Sequence, residues 1–205
     1  MGFYRDQVVP RIVDKACAMG DAPALRDRVC ADLHGEVLEL GFGSGLNVPH
    51  YPPAVTRVAA VEPADVGWKL AAKRLAATTT RVERAGLDGQ SLPFADDSFD
   101  CALSTWTLCT IPDVGRALAE VRRVLRPGGT FHFVEHGLAP DPEVQVWQRR
   151  LDGIQQRIAG GCHLDRPIVA LVTGAGLEIS HVEEFYEKGA PRFVAADALG
   201  VAVSP

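Results

Sequence analysis

The sequence VLELGFGSGLN, residues 37–47, runs from strand-favouring residues into three glycines at alternate positions, Gly41, Gly43 and Gly45. Glycine has no side chain, so it permits a tight turn and lets a ligand approach the backbone closely. A helix that begins after such a loop offers free N–H groups to that ligand. The stretch therefore predicts a first strand followed by a ligand-binding loop, and a plain strand-to-helix turn is the alternative.

The glycine spacing indicates which kind of ligand the loop binds. A dinucleotide-binding loop needs a glycine at position 46, where this chain has Leu46, and a Walker loop needs a basic residue, which this loop lacks. Glu62 ends the second predicted strand, where a carboxylate can accept hydrogen bonds from both hydroxyls of a ribose. We therefore expect a nucleoside-like ligand without phosphates. The alternative for Glu62 is a solvated carboxylate at a strand end.

Short apolar strands alternate with helices along the chain, which is typical of crossover units and a parallel sheet. The strand candidates are residues 37–40, 58–61, 80–84, 99–104, 130–134, 177–185 and 193–203. The helix candidates are two segments before residue 34, with Val9, Ile12, Leu25, Val29 and Leu33 on their apolar faces, then residues 65–77 and 113–125, and a helix with Trp147, Leu151, Ile154 and Ile158 on one stripe. A short turn near residues 188–191 predicts that the last two strands form an antiparallel hairpin. The fold class is α/β, with a mostly parallel seven-stranded sheet.

Composition and charge restrict the class of protein. A length of 205 residues suits one α/β domain, and a net charge of −5 gives no support to nucleic-acid binding. No apolar run approaches the ~18 residues of a membrane span, so we expect no integral membrane segment. The five cysteines form no Cys-x-x-Cys pair, which favours reduced thiols and a cytoplasmic protein. The separations of Cys109, His136, Cys162 and His163 match no zinc-ligand pattern, so no metal site is expected.

Four motifs in order carry a family resemblance. They are ELGFGSG at residues 39–45, Glu62-Pro63, DGQSLPFADDSFD at residues 88–100, and LRPGG at residues 125–129. The series resembles that of S-adenosylmethionine-dependent methyltransferases with a Rossmann-like fold. The resemblance implies a Rossmann-like sheet with helices on both faces, S-adenosylmethionine as the cofactor and S-adenosylhomocysteine as the product.

The same resemblance implies where the cofactor binds. The glycine loop would line its methionine and ribose portions, Glu62 would bind the ribose hydroxyls, and Asp88 and the Gly89 backbone would bind adenine. The residues carried over as cofactor-binding are Glu39, Gly41, Gly43, Gly45, Asn47, Glu62, Pro63, Asp88, Gly89, Ser104 and Thr105. The family often has Gly-Asp-Ala-Glu before Leu-Pro-Phe, and this chain has Gln90 in place of the glutamate.

A narrower resemblance rests on four further strings: Asn47 with Tyr51-Pro52-Pro53, Thr107-Leu108-Cys109, Val134-Glu135-His136, and GCHLDR at residues 161–166. These strings are similar to those of small methyltransferase-like proteins, whose animal members are membrane-anchored alkyl thiol methyltransferases, and of their bacterial relatives. The resemblance implies a small, apolar acceptor, with a thiol as one candidate. We expect no counterpart of the membrane anchor.

The chemistry of methyl transfer suggests which residues to examine on the acceptor side. Transfer from a sulfonium is an in-line displacement, so the protein mainly aligns the reactants and excludes water, and a thiol acceptor gains from a nearby base. His136, after the fifth predicted strand, is the best candidate, and His163, Asp165 and Tyr4 are further catalytic candidates. A structural or solvated role is the alternative for each. Trp106 is best placed to line an apolar pocket, with core packing as the default for all three tryptophans.

Several functions stay open at this point. Besides a methyltransferase for a small acceptor, the sequence permits a phospholipid or quinone-like lipid methyltransferase, a non-catalytic S-adenosylmethionine-binding protein, or an NAD-dependent oxidoreductase. We expect a single domain over residues 1–205, with a helical cap at 1–34, a cofactor-binding half at 35–136 and an acceptor side at 137–205. The oligomeric state is not indicated.

Overall fold

The structure is a computed structural model that describes Asp14 and residues 17–205. The predicted helix around Val9 and Ile12, and the candidate residue Tyr4, lie outside the described residues. A seven-stranded sheet dominates the described part, with the strand order β3-β2-β1-β4-β5-β7-β6. The strands are β1 (Gly35–Leu40), β2 (Val55–Val61), β3 (Arg81–Gly86), β4 (Phe99–Thr105), β5 (Leu125–His136), β6 (Glu178–Tyr186) and β7 (Ala196–Val203).

The described residues form five helices, of which the second connects β2 to β3 and the third connects β4 to β5. They are α1 (Ala22–Cys30), α2 (Asp65–Ala77), α3 (Val114–Val124), α4 (Pro142–Ile158) and α5 (Ile168–Gly174), with a 3-10 turn at Val48–His50. Strands β1 to β5 pair in parallel, whereas β7 is antiparallel to both β5 and β6. The predicted mostly parallel seven-stranded sheet with a C-terminal antiparallel hairpin is confirmed.

The core forms on both faces of this sheet because successive strand residues point to opposite sides. On one face, Leu38 and Leu40 of β1 pack in a cluster with residues of α3 and α5. On the other face, Val37 packs in a cluster with Leu25 and Val29 of α1. Helices therefore cover both faces, as predicted.

Strand β5 begins directly after helix α3, five residues earlier in the sequence than predicted. The helix begins after Asp113, whose Oδ1 accepts a hydrogen bond from the Arg116 N–H at 2.9 Å. It ends at Val124, and β5 begins at Leu125 and contains Pro127 and Gly128, which were expected to lie before the strand. Gly128 has a φ of +78°, and its N–H donates to the Ser204 carbonyl at 2.7 Å. The Pro-Gly-Gly segment therefore both stops the helix and opens the strand.

Helix α4 does not bury its apolar stripe, and the default of core packing for Trp147 was wrong. Trp147 and Ile154 are 55% and 57% exposed. The buried side of α4 instead carries Gln148, whose amide accepts from the Ala139 N–H at 2.9 Å and donates to the Gly137 carbonyl at 3.0 Å. Among the described residues, no helix is long and apolar enough to cross a membrane.

Candidate active site

A large crevice lies above the carboxyl ends of β1, β2 and β4. In the sheet, β2 and β3 lie on one side of β1, and β4 and β5 lie on the other. The order in which the chain adds strands therefore changes direction at β1. Open α/β sheets bind ligands at such a point. A cavity of about 500 Å³ opens there, and its lining includes Gly41–Ser44, Glu62–Ala64, Asp88–Gln90 and Thr105–Thr107.

The glycine loop forms one wall of this cavity with bare backbone. Gly41, Gly43 and Gly45 have φ values of +65°, +56° and +73°, a region that favours glycine. A Cβ on Gly41 would lie 2.1 Å from Thr107 Oγ1, so any side chain at position 41 would clash with Thr107. A Cβ on Gly43 would meet no atom closer than 3.8 Å. A side chain at position 43 would therefore occupy open space beside the cavity, which glycine leaves free.

Glu62 connects the end of β2 to the glycine loop. Its Oε2 accepts the Gly43 N–H at 2.6 Å, and its Oε1 accepts the Ala64 N–H at 2.7 Å. Burial raises the pKa of Glu62, although these two backbone hydrogen bonds oppose the rise. A carboxylate oxygen accepts more than one hydrogen bond, so both oxygens can still accept from ligand hydroxyls. The predicted position of Glu62 in the cavity wall is matched by the structure.

Asp88, Gly89 and Gln90 form the opposite end of the cavity. Asp88 Oδ1 accepts from both the backbone N–H and the side-chain amide of Gln90, each at 2.9 Å, which lowers the pKa of Asp88. Gln90 Oε1 also accepts the Asp113 N–H at 2.9 Å. The glutamine that departs from the family pattern therefore ties Asp88 to the start of α3. It was missed as a positioning residue because the motif alone does not show this contact.

A polar network lies behind the cavity wall. The Asn47 amide donates to Glu39 Oε1 and to Thr105 Oγ1, both at 3.0 Å. Tyr51 donates to the other Glu39 oxygen, and burial raises the pKa of Glu39 to about 7. Of these four side chains only Thr105 lines the cavity. Glu39 and Asn47, predicted as cofactor-binding, thus lie one layer behind it.

Ser104 and Gly45 were also predicted to bind the cofactor, and they too do not line the cavity. Ser104 is fully buried and donates from its hydroxyl to Glu135 Oε1 at 2.6 Å. Glu135 also accepts the Thr107 N–H at 2.9 Å, so it holds the turn after β4. A Cβ on Gly45 would lie 2.9 Å from the Phe42 ring and 3.2 Å from Ala71 Cβ, which indicates a packing role.

Arg26 is a cavity residue that the sequence analysis missed. Its Nη1 donates to Asn47 Oδ1 at 2.5 Å and to Thr105 Oγ1 at 3.0 Å. The side chain is buried, its Nε has no hydrogen-bond partner among the described residues, and burial lowers the pKa of Arg26. Among the ion pairs of the described residues, none involves Arg26. Glu39 acts on Arg26 electrostatically but does not pair with it. A buried cation without a direct ion pair to a described residue is costly, so this site favours an anionic group.

Trp106 forms the wall next to Arg26. The guanidinium carbon of Arg26 lies 4.8 Å from the centroid of the Trp106 ring, and the indole N–H donates to Asp197 Oδ2 at 3.0 Å. Trp106 has a φ of +48°, which is a strained conformation for a bulky residue. The indole of Trp106 lies in the cavity lining, where its sequence position placed it.

Of the predicted catalytic residues, His136, His163 and Asp165 do not line this cavity, and Tyr4 lies outside the described residues. His136 is buried at the end of β5, with Nδ1 3.6 Å from Cys162 Sγ. His163 and Asp165 lie beside Asp152, and His163 Nδ1 is 3.3 Å from Asp152 Oδ2. Cys109 and Cys162 come close to His136 although they are distant in sequence. The hydrogen bonds from Cys109 and His136 lower the pKa of Cys162 to about 5. The catalytic roles of His136, His163 and Asp165 stay predictions.

The charges around the cavity select among nucleotide-like ligands. Arg26 is the one Lys or Arg among the described lining residues, whereas Asp14, Glu62 and Asp88 also line it. A pyrophosphate would meet more negative than positive charge here. A ligand whose ribose lies near Glu62 can donate hydrogen bonds from its hydroxyls to that carboxylate. A carboxylate at the other end of the same ligand can pair with the Arg26 guanidinium. The site is therefore that of a Rossmann-like protein that binds a nucleoside carrying an amino acid, which fits S-adenosylmethionine.

Comparisons with known proteins agree with this class. The family described as "Methyltransferase domain" matches residues 38–133. Thiol S-methyltransferase TMT1B of Rattus norvegicus is 37% identical over 134 residues, which are 63% of this chain and 54% of that protein. Phosphatidylethanolamine N-methyltransferase of Cereibacter sphaeroides is 27% identical over 154 residues, 71% of each chain. The crystal structure of an S-adenosylmethionine-dependent methyltransferase from Mesorhizobium loti matches with a TM-score of 0.65 and 23% identity, over 89% of this chain and 97% of that one.

Residues 38–133 match a methyltransferase domain, and the chain is similar in sequence and in fold to S-adenosylmethionine-dependent methyltransferases, whose cofactor fits the cavity described above. The match with the rat thiol methyltransferase spans about half of that protein's length. At 23% identity the likeness to the solved structure supports the fold alone.

Proposed function

We propose that this protein transfers a methyl group from S-adenosylmethionine to the sulfur of a small, apolar thiol. The observation that carries the proposal is the cavity itself, in which the bare glycine loop and Glu62 are joined by apolar lining from Leu46, Trp106 and Ile111. Such a wall suits an uncharged acceptor and keeps water from the reacting atoms. The likeness to a rat thiol S-methyltransferase at 37% identity supports a thiol in particular.

The residues of this chain would mainly bind and orient. Glu62 accepts hydrogen bonds from the ribose hydroxyls, Asp88 accepts one from the adenine amino group, and Arg26 pairs with the methionine carboxylate. When bound, S-adenosylmethionine supplies a methyl group that is already activated by a sulfonium. The protein therefore needs no covalent step of its own, and alignment and water exclusion are its main contribution. The thiol proton leaves to solvent or to a base as the new carbon–sulfur bond forms.

An acceptor panel tests the proposal. The protein is incubated with S-adenosylmethionine labelled in the methyl group and with apolar thiols, the matching alcohols, phenols, amines and phosphatidylethanolamine vesicles. We expect label on the apolar thiols, and little on alcohols of the same shape, because the softer and more acidic thiol is the better nucleophile. Label on amines or phenols but on no thiol would contradict the thiol proposal. Label on no acceptor, with the cofactor bound, would favour a binding protein without activity.

Substitution of Glu62 tests the ribose site. We expect Glu62→Ala to weaken S-adenosylhomocysteine binding by about 1–3 kcal/mol, the scale of hydrogen bonds to a charged group. Glu62→Gln keeps one acceptor oxygen, so its loss should be smaller. Glu83→Ala, on the neighbouring strand and away from the cavity lining, is the control that leaves binding unchanged. Calorimetry that finds Glu62→Ala equal to the control would place the ribose elsewhere.

A lipid acceptor is the second candidate, favoured by the exposed side of α4. Trp147 and Ile154 are exposed there, and the Arg150 guanidinium carbon lies 5.5 Å from the centroid of the Trp147 ring. Apolar side chains next to arginines suit the boundary between lipid tails and anionic headgroups. Ala159 and Gly160, which follow α4, line the cavity. In the acceptor panel, label on phosphatidylethanolamine that is reduced by Trp147→Ser would favour this candidate over the thiol.

A further inference from the structure

Three side chains outside the cavity lining form a compact cluster of metal-ligand types. One ligand atom from each of Cys109, His136 and Cys162 lies within 4.8 Å of the other two. Cys109 follows β4, His136 is the last residue of β5, and Cys162 follows α4. We call these three residues the thiol–imidazole cluster. Cys109 and His136 are 3% and 7% exposed, and Cys162 is partly exposed.

The backbone around the cluster is fixed by contacts of its own. The His163 N–H donates to the Cys109 carbonyl at 2.9 Å, and the Arg166 guanidinium donates to the Leu108 carbonyl. Glu135 accepts the Thr107 N–H on the same turn. The segments that carry the two thiols and the imidazole are therefore held together without any contribution from the cluster atoms themselves. A site that is positioned in advance binds its ligand without a large ordering cost.

The geometry within the cluster suits a small thiophilic cation. Zinc–sulfur and zinc–nitrogen bonds at a tetrahedral angle separate the two ligand atoms by about 3.5 Å. His136 Nδ1 lies 3.6 Å from Cys162 Sγ. With Nδ1 as the ligand atom, His136 Nε2 carries the ring proton, and it is buried without a hydrogen-bond partner among the described residues. Sulfur and imidazole together are a ligand set that Zn²⁺ prefers.

A second group of potential ligands is less suited to a cation. It contains Asp152, His163 and Asp165. The Asp152 carboxylate already accepts the Leu164 N–H at 2.8 Å and the Gln156 amide at 2.6 Å. Its oxygens are thus used to hold the chain after α4, whereas the His136 imidazole contacts Cys162, which is itself a member of the thiol–imidazole cluster.

We propose that Cys109, His136 and Cys162 bind one thiophilic divalent cation of the Zn²⁺ type, with a water or another exogenous ligand in the fourth tetrahedral position. Both thiols lose their protons to solvent on binding, so two thiolates and a neutral imidazole balance the charge of the cation. This site replaces the expectation of no metal, which rested on separations along the sequence. Ligands from three distant segments do not produce the short spacing on which that expectation relied.

Cobalt titration of the full chain tests the proposal. The protein is purified in reductant, treated with a chelator and titrated with Co²⁺, which reports thiolate ligands by a sulfur-to-cobalt charge-transfer band. We expect one equivalent to bind with that band, and Zn²⁺ to displace it. Cys109→Ser and Cys162→Ser should each lose the band and more than about 100-fold in affinity, because each removes a direct ligand. Cys101→Ser is the matched control, since Cys101 is also buried, with its Sγ 3.5 Å from His34 Nδ1.

The wild-type protein supplies a second measurement if a serine variant fails to fold. Bound Zn²⁺ should protect Cys162 from alkylation, and mass spectrometry of the peptide that contains it measures the protection. The proposal is overturned if the reduced protein binds no stoichiometric Co²⁺, if the band survives in Cys162→Ser, or if Zn²⁺ gives no protection. A Cys109–Cys162 disulfide in fresh protein that takes up no cation after reduction would overturn it as well.

Discussion

We expect Arg26→Met to weaken S-adenosylhomocysteine binding by about 2–4 kcal/mol, a loss of between about 30-fold and 1000-fold in affinity. Arg26 is buried in the cavity lining, and no described residue forms a hydrogen bond with its Nε. A ligand carboxylate would form a direct ion pair with Arg26, whereas the nearby Glu39 acts on its charge without contacting it. Calorimetry on the two proteins measures the loss.

A truncated ligand separates this role from a structural one. 5′-Methylthioadenosine keeps the adenosine but lacks the amino acid, so its affinity should change by less than about threefold in Arg26→Met. Arg28→Met is the matched control, because Arg28 lies on the same helix but is exposed and paired with Glu183 at 2.6 Å. Equal losses for both ligands would show that Arg26 shapes the site instead of pairing with the carboxylate. No loss for either would place the carboxylate elsewhere.

Gly41→Ala should destabilise the protein by about 2–4 kcal/mol and abolish tight cofactor binding, because two costs add. The φ of +65° disfavours alanine, and the new Cβ would lie 2.1 Å from Thr107 Oγ1 and 2.3 Å from Thr107 Cγ2. Thr107 is held in place by the Glu135 carboxylate, so it cannot easily withdraw. Denaturant unfolding measures the change in the free energy of unfolding.

Two further variants isolate the clash from the backbone strain. Gly128 has a similar φ of +78° with no atom within 4 Å of an added Cβ, so Gly128→Ala carries only the strain, about 1–2 kcal/mol. In a Thr107→Ala background, Gly41→Ala should recover part of its loss because the two nearest atoms are gone. If Gly41→Ala costs no more than Gly128→Ala, the close packing of loop and turn described above is contradicted.

The sheet was predictable because its signals are local. Runs such as residues 58–61 and 99–104 are apolar, bounded by turns and too short for helices, so strand and helix alternation fixes the class of fold. The limits of β5 were less predictable. Proline and glycine at positions 127 and 128 are typical of a turn, and only the pairing partners across the sheet show that the strand already contains them.

Part of the cavity lining was also predictable, since a strand-loop motif places its own residues; the roles of these residues in cofactor binding stay predictions. Arg26 was missed because an arginine on a helix is normally exposed. Its position was nevertheless informative, since Ala22, Leu25, Val29 and Cys30 mark the buried stripe on which it lies. The opposite error occurred at Trp147, because an apolar stripe alone does not show which surface covers it. The thiol–imidazole cluster joins three distant segments, so no local pattern could show it.

The central claim is that the cavity binds a nucleoside carrying an amino acid and not a dinucleotide. Calorimetric titration of the protein with S-adenosylhomocysteine and, separately, with NAD⁺ tests it directly. The account predicts a saturable one-to-one isotherm for S-adenosylhomocysteine and no measurable heat of binding for NAD⁺. Binding of NAD⁺ together with no binding of S-adenosylmethionine or S-adenosylhomocysteine would contradict it.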